Sequence, residues 1–320
     1  MNLWKLRLSM AGTLAVIIGI TTLGFALVLS LMNSLSLLSL VVLVAAFNII
    51  QWLIAPYMVD MLYRVRPLGA DESPRLHRIL QELSHRSGIR PPKLMMADLP
   101  VPNAFAYGSP LTGSRVAVTR GLLSSLDEEE VEAVIGHELG HLKHRDVQVM
   151  MFASFLPSLF YLLARSMLYS SYYYDRRDRR DGGGLALLGG VSMLIYFVLL
   201  LFSLSLSRLR EYYADQHSVS VVEDGARKLS EGLAKIVSST LRVRSYTGGS
   251  LGISGFKTLF ISDPDRASQD ALDLQAAWRG GSDSELVRSI LSRKVTWLDN
   301  LLELFSTHPN IVKRIRALQS

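Results

Sequence analysis

Residues 131–146 read VEAVIGHELGHLKHRD, and the rest of the chain is best read outward from them. His137-Glu138-Leu139-Gly140-His141 follows the pattern H-E-x-x-H. On a helix, residues four apart stand one turn above each other, so both imidazoles can reach one Zn²⁺. Glu138 lies beside that face, where a carboxylate can take a proton from an attacking water. The flanks favour a helix. Ser125-Leu126-Asp127-Glu128 has the form of a capping box, acidic residues at 127–130 suit the helix N-terminus, and Val131, Val134 and Ile135 supply an apolar stripe. The plainer alternative is a chance pairing of histidines on a polar helix, which the apolar neighbours oppose. His144 shares nearly the same face but sits about 10 Å along the axis from His137. Zinc ligands lie only about 2 Å from their metal, so a third ligand must come from elsewhere.

Beyond this helix the chain is unevenly apolar. Of its 320 residues 49% are hydrophobic and 19% charged, yet no charged side chain occurs between Arg7 and Asp60 or between Asp181 and Arg208. Uncharged runs of this length point to hydrocarbon as the solvent. At about 1.5 Å of rise per residue and a bilayer core of about 30 Å, Leu8–Val59 is long enough for two crossings, broken near Asn33 and Ser34. A cleaved signal peptide is disfavoured, because its apolar core runs only about 7–15 residues. A third apolar run covers Val147 to about Ser170, with Arg165 near its far end, and a fourth runs from about Leu185 to Leu206. The polar stretch 172–184 between them reads as a loop.

The formal net charge is +6, and no basic stripe interleaved with aromatics marks a nucleic-acid partner. Membrane-flanking Lys and Arg account for the excess. With no cysteine, thiolate metal sites, disulfides and cysteine nucleophiles are excluded. Lys5, Arg7, Arg64 and Arg66 flank the first two runs, which places the N-terminus and the residues after Asp60 in the cytoplasm. The Arg176–Arg180 cluster then faces outward against that rule, softened by its aspartates.

The third ligand is expected just after the fourth run, where Arg210-Glu211-Tyr212-Tyr213-Ala214-Asp215 supplies Glu211. Asp215, one turn on, can fix a ligating imidazole through its second nitrogen. The competing reading is an ordinary juxtamembrane charge cluster with Arg208 and Arg210. Topological parity favours the ligand: His141 precedes one crossing and Glu211 follows the next, which returns both to one membrane face.

These residues together resemble peptidase family M48, in particular its HtpX-type membrane proteases and more distantly the Ste24-type prenyl-protein proteases. The resemblance implies a mainly α membrane protein of four transmembrane helices with an α+β zincin-like cytosolic protease domain carrying a small sheet. The implied parts are a membrane hairpin (1–59), a protease region with the sheet and H-E-x-x-H helix (60–146), a second hairpin (147–206), and a protease region with the third ligand (207–320). Asn103-Ala104-Phe105 resembles the family's substrate-binding edge strand, and runs at 93–98, 103–107 and 115–119 suit a small sheet. Ser306-Thr307-His308-Pro309 with Arg314 resembles its C-terminal motif, which implies that His308 or Arg314 stabilises the oxyanion. The implied activity is zinc-dependent hydrolysis of misfolded or damaged membrane proteins at the cytosolic face of the cell membrane.

Two other functions compete. Processing of lipidated C-termini would suit a Ste24-type enzyme, but four spans are few for its enclosed chamber. A scaffold with structural zinc would need a fourth protein ligand, and only three are apparent. His77, His85 and His217 read as structural or solvated, and 246–284 as a candidate flap.

Overall fold

The computed structural model describes residues 37–174, 182–246 and 282–320. Along the chain these form α1 (Leu37–Leu62), β1 (Val65–Pro67), α2 (Pro74–Ser87), β2 (Lys93–Ala97), β3 (Ala104–Ser109), β4 (Gly113–Thr119), α3 (Arg120–Ser125), α4 (Glu128–Lys143), α5 (Asp146–Tyr174), α6 (Gly182–Val221), α7 (Gly225–Tyr246), α8 (Asp283–Ser292), α9 (Trp297–Glu303) and α10 (Ile311–Leu318). The described residues fall into two compact units, one of 53–147 with 208–320 and one of 37–52 with 148–207. The architecture is mainly helical with one small mixed sheet.

The sheet has the order β1-β2-β4-β3. β2 pairs β4 in parallel, while β1 and β3 add to its two sides antiparallel. The three short runs expected to form strands do so. β1 joins them through only three residues, too few to show a period in the sequence.

In the same unit α4 is almost wholly enclosed. Val131, Val134, Ile135 and Leu139 pack with residues of α2, β4, α7, α8 and α10 in one apolar core. The cap of α4 differs from the expected one. Ser125 ends α3, and the capping pair is Asp127 with Glu130, whose Oε2 accepts the Asp127 N–H at 2.8 Å. Lys235 on α7 lies over this cap: its ammonium is 2.9 Å from Asp127, 2.9 Å from Glu130 and 3.1 Å from Asp283. That cation satisfies an acidic trio which would otherwise resemble a metal site.

α4 and α6 approach closely because both are lined with small residues. A Cβ on Gly136 would come within 3.1 Å of Ser218 Oγ, and one on Gly140 within 3.0 Å of the Ala214 Cα. Ser218 Oγ also donates to the Ala133 carbonyl at 2.6 Å. Gly140, between the two histidines, thus sets how near α6 can come to them.

In the second unit Leu159, Phe160, Leu163 and Met167 of α5 pack against Leu199 of α6, and Ser203 Oγ donates to the Ala153 carbonyl at 3.0 Å. Two helical stretches among the described residues, Asp146–Tyr172 and Gly183–Val221, are long and apolar enough to cross a membrane. They fall on the third and fourth of the expected spans. The first expected span precedes the described residues. The second falls on α1, a helix of 26 residues that carries no charge before Asp60. The stretch 172–184 is also less open than expected, since Tyr172–Tyr174 and Gly182–Gly184 are helical while 175–181 lie outside the described residues. The flap expected over 246–284 falls mostly on 247–281, likewise outside them.

Candidate metal centre

α4 presents His137, Glu138 and His141 inward, with 1% of His137 and 3% of Glu138 exposed. The two imidazoles meet edge-on, their Nε2 atoms 3.1 Å apart. Glu211 on α6 closes the group, with Oε2 3.7 Å from His137 Nε2 and Oε1 3.6 Å from His141 Nε2. The far nitrogens are already occupied. His137 Nδ1 lies 2.9 Å from Asp215 Oδ1, and His141 Nδ1 lies 2.6 Å from Asp146 Oδ2.

This pattern tests whether a metal fits. A carboxylate at each Nδ1 holds the proton there, which turns the Nε2 lone pairs toward one another and toward Glu211. Three lone pairs converging in a buried space repel unless a cation lies between them. Tetrahedral zinc with bonds of about 2.0–2.1 Å spaces its ligands about 3.3 Å apart, and the three separations bracket that value. Glu211 Oε2 is shared with two further groups, Arg314 Nη1 and His308 Nδ1, each 3.3 Å away. His137, His141 and Glu211 therefore suit zinc.

Electrostatics sort the roles. Burial, reinforced by the Arg314 guanidinium, pushes the His137 pKa down, which keeps its ring neutral. Burial acts on His141 in the same direction, but Asp146 and Glu211 outweigh it and the pKa rises. Without metal, His141 can thus hold a proton in the cation's place. Burial raises Glu138 to about 7, aided by Glu211 and opposed by His141, the Ala106 N–H and Arg314. That N–H, from β3, reaches Glu138 Oε2 at 2.7 Å and fixes the carboxylate.

A stability prediction follows for the metal-free protein. A carboxyl whose folded pKa is raised binds its proton more tightly when folded, so stability is greatest below pH 4.5 and is lost as pH rises to about 7. The loss is on the order of 3 kcal/mol for a buried group shifted this far. Glu138→Gln keeps an acceptor for Ala106 without ionising. Denaturant titrations at pH 8 should find the metal-free variant more stable than the metal-free parent, with the gap closing near pH 4.5. A gap that does not change with pH would sink the argument.

Arg314 on α10 is buried against this cluster, with 1% exposure. Its Nε and Nη2 bind the two Asp215 oxygens at 2.6 and 2.7 Å, and Nη1 lies 3.3 Å from Glu211 Oε2. His308 lies in the tight turn before α10, its Nδ1 3.3 Å from Glu211 Oε2, and neither ring nitrogen has a hydrogen-bond partner among the described residues. Asn103, Ala104 and Phe105 sit beside the site but are buried, at 1%, 0% and 3% exposure. The accessible stretch of that strand is one step on, at Ala106 and Gly108. The Asn103 carbonyl accepts from Thr119 N–H on β4, so alternation turns the backbone of 103, 105 and 107 toward β4 and that of 104, 106 and 108 away.

Asp146 was not anticipated as a site residue, although it closes the stretch quoted first. Arg145 adopts a positive φ of 54°, and this abrupt turn between α4 and α5 aims Asp146 back at His141. Arg210 Nε lies 3.1 Å from the same carboxylate. Asp146→Asn should keep the fold but lower zinc affinity about 10–100-fold, measured by competition with a chelator. Unchanged affinity would reduce Asp146 to a helix-start residue. Three other histidines are structural: His217 Nε2 meets Ser87 Oγ at 2.9 Å, His77 Nε2 meets the Leu68 carbonyl at 2.8 Å, and the His144 ring packs edge-on against Tyr213, while His85 is exposed.

A helix bearing two imidazoles and a proton acceptor, faced by a third donor, defines a metallopeptidase of the H-E-x-x-H class. The model of peptidase family M48 matches residues 70–320, and the chain belongs to that family. It is 35% identical to the Protease HtpX homolog of Thermoplasma acidophilum over 333 aligned positions, which cover 100% of this chain and 98% of that relative. It is 38% identical to the Protease HtpX homolog of Thermoplasma volcanium over 277 positions, covering 87% and 80%. The fold is also similar to that of a crystal structure of S. mikatae Ste24p, with a TM-score of 0.54 at 18% identity, covering 99% of this chain and 67% of that one. The resemblance to HtpX-type M48 peptidases read from the sequence is thus borne out, and with it a hydrolytic, metallopeptidase function.

Proposed function

We propose that the protein is a multi-pass zinc endopeptidase of the cell membrane that cleaves membrane proteins, misfolded or damaged ones above all, at the cytosolic face. The observation that carries the chemistry is the convergence of the two Nε2 atoms at 3.1 Å, their partner nitrogens engaged, beside a buried Glu138. Held by His137, His141 and Glu211, zinc would supply Lewis-acid polarisation of the scissile carbonyl.

The chain's own groups supply the rest. Glu138 takes a proton from the attacking water and returns it to the leaving amine, so no covalent intermediate forms. The Ala106 N–H keeps the carboxylate on the side of the sheet edge. An extended substrate adds to that edge at Ala106–Gly108, where main-chain pairing gives affinity with little demand on sequence. Asn103, Ala104 and Phe105 shape this strand from beneath. His308 donates to the developing oxyanion, while Arg314 holds Asp215 and Glu211 in position.

The membrane assignment is supported by the apolar helices, and the cytosolic orientation by the flanking Lys and Arg residues. The test uses purified protein in detergent with an unfolded membrane-protein substrate. A metal chelator should abolish cleavage and stoichiometric zinc restore it, with prenylated peptides cut no faster than unmodified ones. Cleavage that survives complete metal removal would overturn the zinc mechanism, and a strong preference for the prenylated peptide would reassign the substrate.

A further inference from the structure

α9 is too short to bury much of itself, and of its polar side chains Glu303 is the buried one. Asp299 Oδ2 accepts from the Thr296 N–H and hydroxyl at 2.8 and 2.7 Å. Glu303 accepts the Asn310 N–H at 3.2 Å and pairs with Lys313. The outward side is left to Trp297, Leu298, Leu301, Leu302 and, just after the helix, Leu304. Trp297 is 74% exposed and Leu298, Leu301 and Leu304 each nearly half. A contiguous apolar face on so small an element marks a docking surface.

The position of this face in the chain's chemistry selects its occupant. Arg208 Nη1 donates to the carbonyls of Glu303 at 2.7 Å, Leu304 at 3.3 Å and Ser306 at 2.7 Å. Arg208 is also the first charged residue after the uncharged run 182–207 of α6. A basic residue at the end of such a run sits at the level of the lipid headgroups, and it carries the end of α9 to that level. Trp297 at the start of the helix suits the same layer, and exposed Lys294, three residues earlier, adds attraction to anionic headgroups.

We propose that α9 and the turn after it lie in the interfacial layer of the lipid bilayer, as a shallow amphipathic anchor next to the His308 turn. This rests on the reading that the apolar run of α6 crosses that bilayer. The anchor would fix the height of the His308–Arg314 segment over the membrane and set the catalytic groups close to the surface from which substrates emerge.

The chain has no cysteine, so single labels can be placed freely. Full-length L301C, carrying a nitroxide, is reconstituted in nanodiscs of phosphatidylcholine with phosphatidylglycerol. L194C in the apolar run of α6 and R90C, exposed on the other unit, serve as controls, and L298C repeats the measurement. The L301C label should be several-fold more accessible to oxygen than to a water-soluble nickel chelate, as at L194C and opposite to R90C. If L194C reports lipid while L301C matches R90C, the anchor is wrong and the membrane reading stands. If L301C is shielded from both relaxants, protein covers α9 and the proposal also falls. An L194C label open to the nickel chelate would remove the membrane reading itself.

Discussion

Glu138→Gln should turn over substrate about 10³-fold more slowly than the parent, within the 10²–10⁴ range for loss of a positioned acid–base group, while still binding one zinc per chain. The separation of effects follows from geometry. Glu138 is beside the ligand triad without being part of it, and its carboxylate is held by the Ala106 N–H. Gln preserves volume and the acceptor for that bond but cannot take a proton from water. The loss should therefore fall on kcat, with KM nearly unchanged. Metal content by mass spectrometry and single-turnover rates would check both halves. A variant that loses its zinc would make Glu138 a ligand, and one that stays fully active would remove it from the mechanism.

Arg314→Leu is expected to have the largest effect on stability. Arg314 is buried and its guanidinium spans both Asp215 oxygens and approaches Glu211. Burial alone would lower its pKa, but Asp215 and Glu211 more than compensate and hold it above the ordinary arginine value. Removing the cation strands two buried carboxylates, a change that costs about 3–5 kcal/mol. It should also weaken metal binding, because Asp215 loses the group that aims it at His137. Arg314→Lys restores charge without the planar fork and should recover stability in part but not the geometry. If denaturant unfolding shows Arg314→Leu within about 0.5 kcal/mol of the parent, a range typical of surface changes, the clamp is not structural. If its kcat falls while metal affinity and stability hold, Arg314 would instead be an oxyanion donor.

The sequence made α4 readable because its signals are local: acidic first turn, apolar stripe and two histidines one turn apart. Glu211 was reachable for a different reason, as the fourth apolar run pointed to the residues that follow it. Asp146 was not, although it lies in the same stretch, because its role depends on Arg145 turning the backbone left-handed. Nor was the Ala106 N–H, since a main-chain donor leaves no mark in the side-chain pattern. The strand is expected over 103–107 and runs Ala104–Ser109, and nothing local marks that 103–105 are buried from both sides. Small residues at 136, 140, 214 and 218 are visible in the sequence as i, i+4 pairs, yet nothing there says that the two pairs face each other. The capping pair falls two residues later than expected, on Asp127 and Glu130, because Ser125 is taken into the preceding helix.

Asp146 is both the partner of His141 and the first residue of α5, and Glu211 belongs to the same unbroken helix as the apolar run 182–207. Two of the groups that shape the metal centre are therefore the footings of the two long apolar helices. Nothing separates the chemistry from the anchorage, so a soluble version made by cutting out 147–207 would lose the anchorage that aims one ligand and carries another. Solvents that loosen those helices should register first as escaping zinc, before substrate affinity changes. A detergent series read for both zinc content and substrate affinity would check that order.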